Sequence, residues 1–187
     1  MQRLISTPVS PEELKKLWQN NPKTKHLPAP RVVFYDEIIK ATNLKDIFRG
    51  KNGVIVFYPN FQNDNVLAGH YVSLIKDSKK KTIYYYDSYG LVVDQAKFFA
   101  KDRNNLYREE NNSLIKLLLK LVRKGWKVDY SDYPHQSKDS NTATCGRHSL
   151  LRNLYSNLSN DEYNQLITYG SKKRGVNPDQ FSVIMFN

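Results

Sequence analysis

The sequence predicts an α+β fold in which a central mixed sheet is flanked by helices, within a single domain over residues 1–187. Three segments rich in β-branched and aromatic residues indicate strands, at 53–58, 69–75 and 82–87. Helical patterns occur before and after them without regular alternation, which is typical of the α+β class. Proline and glycine residues are scattered singly, and no repeat or linker divides the chain.

Short helices and an extended segment are predicted ahead of the first strand. Ser10-Pro11-Glu12-Glu13 combines an N-cap serine, a proline at the first helical position and a glutamate three residues after the cap. This pattern indicates a helix that runs to about Asn20. Three prolines favour an extended conformation for 21–31, and the apolar spacing of 36–47 indicates one or two short helices.

The second and third strand candidates are predicted to form an antiparallel hairpin. The polar segment 76–81 joins them as a turn. A hairpin places the beginning of one strand beside the end of the next. We therefore expect His70 and Asp87 to lie at the same end of the sheet.

The second half of the chain is predicted to be mainly helical. Its elements are an apolar helix at 112–124 stopped by Gly125, a strand at 126–130, a polar loop at 131–144, and helices that open at Cys145 and at Ser159.

Composition and charge exclude several classes of protein. With one cysteine, the 187-residue chain can form neither an internal disulfide nor a cysteine-rich zinc site, and a reducing compartment fits best. We expect no secretion signal and no membrane span, because no long apolar run occurs. The 29 Lys and Arg against 18 Asp and Glu give a net charge of +11, which favours polyanion partners such as nucleic acid.

Cys145 is the candidate nucleophile. It stands where the polar loop enters a helix, and the unpaired N–H groups and positive dipole end there favour a thiolate. Gly146 would let a substrate backbone come close. The alternative is a small buried hydrophobe, which is the usual state of a lone intracellular cysteine.

A nucleophilic thiolate needs an imidazole, and four histidines are available. His26 lies in a Pro- and Lys-rich segment typical of the surface, and His148 follows the cysteine on the same helix. His135 neighbours a residue with a different predicted role. We assign His70 as general base and Asp87 as the group that orients it. The alternatives are a hydrogen-bonded strand histidine and an Asx turn after the aspartate.

Acyl transfer also requires hydrogen-bond donors for the oxyanion. Gln136, ahead of the cysteine in the polar loop, could supply a side-chain N–H beside the backbone N–H of Cys145. Taken singly, a loop glutamine is ordinary. The order His, Asp, Gln and Cys, each at the end of an element, indicates a cysteine hydrolase.

These residues resemble the adenain-type cysteine proteases, a family that includes adenovirus maturation proteases and SUMO-deconjugating enzymes. The resemblance lies between residues 53 and 158. It is carried by Gly69-His70-Tyr71-Val72-Ser73-Leu74, Tyr85-Tyr86-Asp87-Ser88, Gln136 and Thr144-Cys145-Gly146-Arg147-His148, with the acid seventeen positions after the histidine. Among viral enzymes, those of virophages and polinton-like elements are the most similar.

The resemblance implies a cysteine endopeptidase that cleaves after Gly-Gly or Gly-X motifs of viral capsid or other virion precursors. It also implies a location in the virion and the host-cell cytoplasm. His70, Asp87, Gln136 and Cys145 would be the catalytic residues, and Tyr71 and Gly146 would contact the substrate. Two departures are a longer loop between the glutamine and the cysteine, and a tyrosine where the family usually has tryptophan after the histidine. A deubiquitinase-like or SUMO-deconjugase-like effector acting on host conjugates would use the same residues.

No metal or other cofactor is expected, and a lone cysteine excludes a disulfide-linked peptide activator that leaves the nucleophile free. Weak, non-specific contacts with DNA, which could also stimulate the enzyme, are expected at two basic clusters. The clusters are Lys79, Lys80 and Lys81, and Lys172, Lys173 and Arg174. A solvated surface is the plainer interpretation of such clusters. The alternative outside enzymes is a basic, DNA-binding virion protein in which Cys145 is buried and inert.

Overall fold

A computed structural model describes residues 1–62, 65–99, 112–139 and 141–187. The helices are α1 (Gln2–Ser6), α2 (Pro11–Asn20), α3 (Tyr35–Lys40), α4 (Leu44–Phe48), α5 (Ser113–Val122), α6 (Cys145–Leu154), α7 (Asn160–Arg174) and α8 (Pro178–Met185), with a short 3₁₀ helix at Gln95–Phe99. The strands are β1 (Arg31–Phe34), β2 (Gly53–Gln62), β3 (Asn65–Asp77), β4 (Thr82–Asp87) and β5 (Lys127–Tyr130).

The five strands form one mixed sheet in the order β1-β2-β3-β4-β5. The two inner pairings, β2 with β3 and β3 with β4, are antiparallel, whereas β1 and β5 run parallel to their neighbours at the two edges. The predicted hairpin is confirmed, with Val72 opposite Asp87. The α+β class and the mixed sheet are confirmed as well.

Helices cover both faces of the sheet, so apolar residues face a core on each side. One core packs Val54, Val56, Val72, Leu74, Ile83 and Tyr85 against residues of α3, α4 and α5. The other packs Ile55, Phe57, Tyr71 and Tyr86 against residues of α2, α6, α7 and α8. Alternate residues of each strand serve alternate cores, as the period of two requires. A sheet buried on both faces is a rigid support for groups at its strand ends.

Several elements depart from the sequence prediction. The strands β2 and β3 continue past 58 and begin before 69, and a register shift at Asn60 lets the pairing run on through segments of weak strand propensity. The prediction of an extended conformation for 21–31 is wrong for residues 22–26, which form turns. There the Asn21 side chain accepts the N–H of Lys23, so the proline after Asn21 begins a turn. The elements β1, α1 and α8 were not predicted.

The helix α6 opens at Cys145, as the sequence indicates, and packs on the sheet beside β3. The predicted polar loop before it is irregular, and its residue 140 lies outside the described residues. Within the described ranges, no helix is both long and apolar enough to cross a membrane.

Candidate active site

The strand register brings His70 and Asp87 together. Val72 of β3 lies opposite Asp87 of β4, and His70 lies two residues before Val72 on the same face of the sheet. This places His70 diagonally beside the carboxylate, within reach of a long side chain. His70 Nε2 lies 3.0 Å from Asp87 Oδ2, and both side chains are buried.

Asp87 also forms an Asx turn, which is the alternative that the sequence indicates for this residue. Its Oδ1 accepts the backbone N–H of Tyr89 at 2.7 Å, while its Oδ2 faces the imidazole. The turn fixes the carboxylate in one orientation. The Asx turn and the contact with His70 are therefore present together in the structure.

Cys145 is hydrogen-bonded to His70. Because Nε2 of the ring faces Asp87, Nδ1 is the nitrogen directed to the thiol. The Cys145 Sγ also lies 3.9 Å from the carbonyl oxygen of Gly69. The cysteine is only 8% exposed, so little of its side chain is open to solvent. Burial alone would suit an inert thiol, but a hydrogen bond to an ionisable ring would not.

The charge of His70 follows from its neighbours. Burial disfavours the charged ring, but the Asp87 carboxylate, its hydrogen bond and the Cys145 side chain outweigh burial and raise the pKa of His70 to about 10. At neutral pH the ring is therefore protonated. The charged ring lies between the Asp87 carboxylate and the Cys145 side chain.

The beginning of α6 keeps its N–H groups available. Thr144 is the N-cap residue, yet its side chain does not cap the helix. Its hydroxyl donates to Asp179 of α8. The first N–H groups of a helix have no acceptor within the helix, so those around Cys145 can serve an anion.

Gln136 is held by the turn after β4. The Ser88 carbonyl accepts the backbone N–H of Gln136 at 2.8 Å, and the Ser88 hydroxyl donates to Gln136 Oε1 at 2.7 Å. The Gln136 amide nitrogen donates to the hydroxyl of Tyr89 at 3.0 Å and to the carbonyl of Thr142 at 3.2 Å. To donate to an oxyanion, Gln136 must exchange one of these two contacts.

Tyr89 is a residue of the site that sequence reasoning missed. Its ring stacks on the His70 ring, with centroids 5.2 Å apart and an interplanar angle of 16°. Burial, the Cys145 side chain and Asp87 raise the pKa of Tyr89 to about 12, so its hydroxyl stays protonated. Its position two residues after Asp87, inside the predicted Asx turn, was the available signal.

Asp179 of α8 is a second missed residue, and it ties together the segments on both sides of the site. Its carboxylate accepts hydrogen bonds from the backbone N–H of Ser137, at 2.9 Å, and from the hydroxyl of Thr144. It also lies 3.1 Å from His148 Nε2. Burial would raise the pKa of Asp179, but His148, Thr144 and Ser137 together lower it below its usual value. The residues after Gln136 and before Cys145 are thus anchored to one carboxylate.

The remaining two histidines, His135 and His26, do not belong to the candidate active site. His135 contacts the Tyr86 hydroxyl through Nδ1 at 3.2 Å and Asn164 through Nε2 at 3.0 Å. Burial, with a contribution from His148, lowers the pKa of His135 to about 4. His26 is exposed. Neither is in contact with the thiol in the described structure.

The N-terminal segment lies against the site. The backbone N–H of Ala143, two residues before the cysteine, donates to the carbonyl of Ile5 at 2.8 Å. Tyr71 packs on Phe57 and donates its hydroxyl to the carbonyl of Val9 at 2.8 Å. Tyr71 is therefore buried and fastens this segment.

Gly146 makes room for the same segment. A Cβ at this position would lie 2.6 Å from Val9 Cγ2 and 3.0 Å from Leu14 Cδ2. The side of Gly146 on which a side chain would stand therefore faces Val9 and Leu14.

The six residues of the basic clusters are exposed. Lys80 is near Asp77, and Arg174 lies over the ring of Phe181. Among the residues that the structure describes, no group of three or more His, Cys, Asp or Glu side chains could hold a metal ion.

Comparison with known proteins gives distant similarities. No protein-family model matches the chain. A virophage protein is similar in sequence. The uncharacterised protein V9 of Sputnik virophage is 25% identical over 150 residues, which are 80% of this chain and 81% of V9.

Two solved structures of a SUMO protease are similar at low scores. The Ulp1 SUMO protease with its catalytic cysteine oxidised to a sulfenic acid has 15% identity and a TM-score of 0.33, over 100% of this chain and 76% of that one. The Ulp1 protease domain in complex with Smt3, the yeast orthologue of SUMO, has 15% identity and a TM-score of 0.32 over the same shares.

Proposed function

We propose that the protein is a cysteine endopeptidase. The observation that carries the proposal is the His70 imidazole, which bridges the Asp87 carboxylate and the Cys145 thiol at the beginning of a helix. A nucleophile, a base and an orienting acid in hydrogen-bond contact are what acyl transfer requires. A buried structural cysteine has no need of a charged ring beside it.

The proposed reaction has two stages, formation of a thioester on Cys145 and hydrolysis of that thioester. In the resting pair the thiol proton of Cys145 already resides on His70 Nδ1, and the thiolate attacks the carbonyl carbon of the scissile bond. The backbone N–H of Cys145 and the amide of Gln136 donate to the oxyanion. His70 gives its proton to the leaving amine, which produces a thioester. Water, deprotonated by His70, then attacks the thioester and releases the acid and the thiol.

We further propose that the enzyme cleaves after small residues, as in Gly-Gly or Gly-X sequences. In support, the thiol is 8% exposed and the stacked ring of Tyr89 covers the other side of the imidazole. A chain with large side chains next to the scissile bond would clash in so narrow an opening. The similarity to a virophage protein supports virion precursor proteins as substrates, encountered in the virion or the host-cell cytoplasm.

Cleavage of matched fluorogenic peptides tests the proposal. We expect the wild-type protein to hydrolyse a Leu-Gly-Gly amide faster than a Leu-Phe-Phe amide. Cys145→Ala should abolish hydrolysis of both, and His70→Ala should slow the alkylation of Cys145 by iodoacetamide. Hydrolysis that persists in the Cys145→Ala protein would remove the assignment, whereas equal rates on the two peptides would remove only the specificity.

A deconjugase acting on host proteins is the alternative for the same site. It requires recognition of a folded ubiquitin-like protein in addition to its tail. Reaction with full-length ubiquitin or SUMO carrying a C-terminal electrophile, at rates far above the tail peptide with the same electrophile, would favour it. Equal rates would favour the endopeptidase.

We also propose that the two basic clusters hold the protein weakly on DNA. Lys80 lies near Glu162 in the first turn of α7, and Lys172, Lys173 and Arg174 form the last turn of the same helix. The exposed clusters therefore mark the two ends of one helix. This arrangement supports contact with two separate phosphates and offers no group for reading bases. A virion protein without enzymatic activity would share this binding, but its Cys145 would resist alkylation.

A further inference from the structure

A cavity of about 280 Å³ is lined by Arg147 of α6 and includes neither His70 nor Cys145 in its lining. It lies between α2, α6 and the residues after α8. Its apolar lining comes from Val9, Leu17 and Phe186. Its polar lining includes Glu13, Lys16 and Arg147.

Arg147 is the unusual member of this lining. It is 4% exposed, and its Nε and Nη1 have no hydrogen-bond partner in the described part of the chain. Buried guanidinium groups are normally paired, because an unpaired buried charge is costly. Burial lowers the pKa of Arg147, and the Glu13 carboxylate offsets this only in part. Glu13 is itself engaged with the backbone N–H of Ser10.

The charges and the apolar lining together indicate the missing partner. The side chains around the cavity carry two positive charges, on Arg147 and Lys16, against the single negative charge of Glu13. Asn187 also lines the cavity, but it forms no hydrogen bond with Nε or Nη1 of Arg147. The unpartnered Nε and Nη1 of Arg147 are donors, so they favour an anion that can accept from a guanidinium. Apolar walls favour a carboxylate carried on a hydrocarbon stem over a small inorganic ion.

We propose that this cavity is a binding site for a peptide carboxylate, which is held by Arg147 and Lys16 while its aliphatic part lies against Leu17 and Phe186. The ligand group is either the main-chain carboxylate of a peptide terminus or the side chain of an acidic residue. The site is separate from the proposed protease chemistry, and binding to it is measurable whether or not the protein cleaves peptides.

Calorimetric titration of the full chain with three small probes tests the site. N-acetyl-leucine carries a main-chain carboxylate, N-acetyl-glutamate α-methylamide carries a side-chain carboxylate, and N-acetyl-leucine amide is uncharged. We expect saturable binding of at least one of the two acids, at least tenfold tighter than binding of the amide. The tighter acid identifies the source of the carboxylate. Equal binding of the acids and the amide would overturn the proposal.

Variants of the two cationic residues locate the binding. Arg147→Gln should lower the affinity for the tighter-binding acid at least tenfold, and Lys16→Gln should lower the same affinity several-fold. Lys15→Gln is the matched control, because Lys15 is on the same helix but lines a different cavity. Unchanged affinity in the Arg147→Gln protein, or equal weakening in the Lys15→Gln protein, would contradict the assignment.

A stability measurement separates a ligand site from a structural arginine. Without ligand, Arg147→Met replaces a buried charge that lacks partners, so we expect an unchanged or higher melting temperature. A clear fall in the melting temperature of the ligand-free protein would mean that Arg147 serves the fold. That result would overturn the proposal even if the probes bind.

Discussion

Replacing Asp87 by asparagine tests the proposed origin of the reactive thiol. The change keeps the size of the side chain and keeps Oδ1 as acceptor for the N–H of Tyr89, so the turn should survive. It puts an amide NH₂ where Oδ2 faces His70 Nε2. The ring must then accept at Nε2 and carry its proton on Nδ1, which is the wrong tautomer for taking a proton from Cys145.

The expected size of the effect of Asp87→Asn on the thiol follows from how strongly His70 prefers to be charged. A pKa of about 10, against 6.5 for an ordinary histidine, corresponds to roughly 5 kcal/mol in favour of the charged ring. Asp87 and the Cys145 side chain share this preference, and Asp87 contributes the larger part. If half is removed in Asp87→Asn, the equilibrium between the charged and the neutral ring shifts towards the neutral ring by roughly 50- to 100-fold, which sets an upper bound on the fall in the rate of thiol attack.

The assay is alkylation of the single cysteine by iodoacetamide, followed by mass spectrometry from pH 5 to pH 9. We expect the wild-type protein to react quickly at pH 6 to 7 and Asp87→Asn to react more slowly there, by up to roughly 50- to 100-fold. Asp77→Asn, at the far end of the same hairpin, is the control and should react like the wild type. An Asp87→Asn protein that reacts at the wild-type rate would refute the role of the carboxylate.

Three further predictions concern acid stability, the N-terminal segment and DNA. Burial holds the pKa of His135 at about 4, below its unfolded value of 6.5. The stability that comes from keeping this ring neutral is therefore fully present above pH 6.5 and is lost as pH falls towards 4. The loss in the free energy of unfolding is about 3 kcal/mol. Urea unfolding at pH 7 and pH 4 should show a correspondingly smaller loss of stability in His135→Gln, and an equal loss would contradict this origin. Gly146→Ala, which drives a methyl group against Val9 and Leu14, should destabilise the fold by about 1 to 3 kcal/mol and open residues 1–9 to proteases. Unchanged protease resistance would mean that the segment does not depend on this packing. DNA affinity should fall steeply with salt, and replacing Lys172, Lys173 and Arg174 together by glutamine should flatten the log–log slope by about 0.9 for each phosphate that is no longer neutralised. A slope that the triple replacement leaves unchanged would place the DNA-binding surface elsewhere.

The sequence predicts those parts of the site that depend on local pattern and on one hairpin. The three central strands carry β-branched and aromatic residues, and the polar turn at 76–81 determines their pairing. That pairing alone is enough to bring His70 to Asp87. The helix opening at Cys145 is also local, because a polar loop and a small residue mark its beginning.

The parts that could not be predicted depend on tertiary contacts. Asp179 acts on Thr144 across 35 positions of the chain, and a buried aspartate in a terminal helix has no pattern that distinguishes it. The strand β1 has only four residues and gains its place by pairing with β2, which sequence periodicity does not show. The helix α8 differs, because Asn177-Pro178-Asp179-Gln180 forms a capping box that could have been recognised.

The anchoring of the site by Asp179 has a consequence for the order of synthesis. His70, Asp87 and Cys145 all leave the ribosome before Asp179, and Ser137 and Thr144 have no acceptor from α8 until that residue emerges. We therefore expect the loop before Cys145 to be loosely held in the nascent chain until α8 docks. In the proposed protease, this order would delay cleavage until translation has passed Asp179.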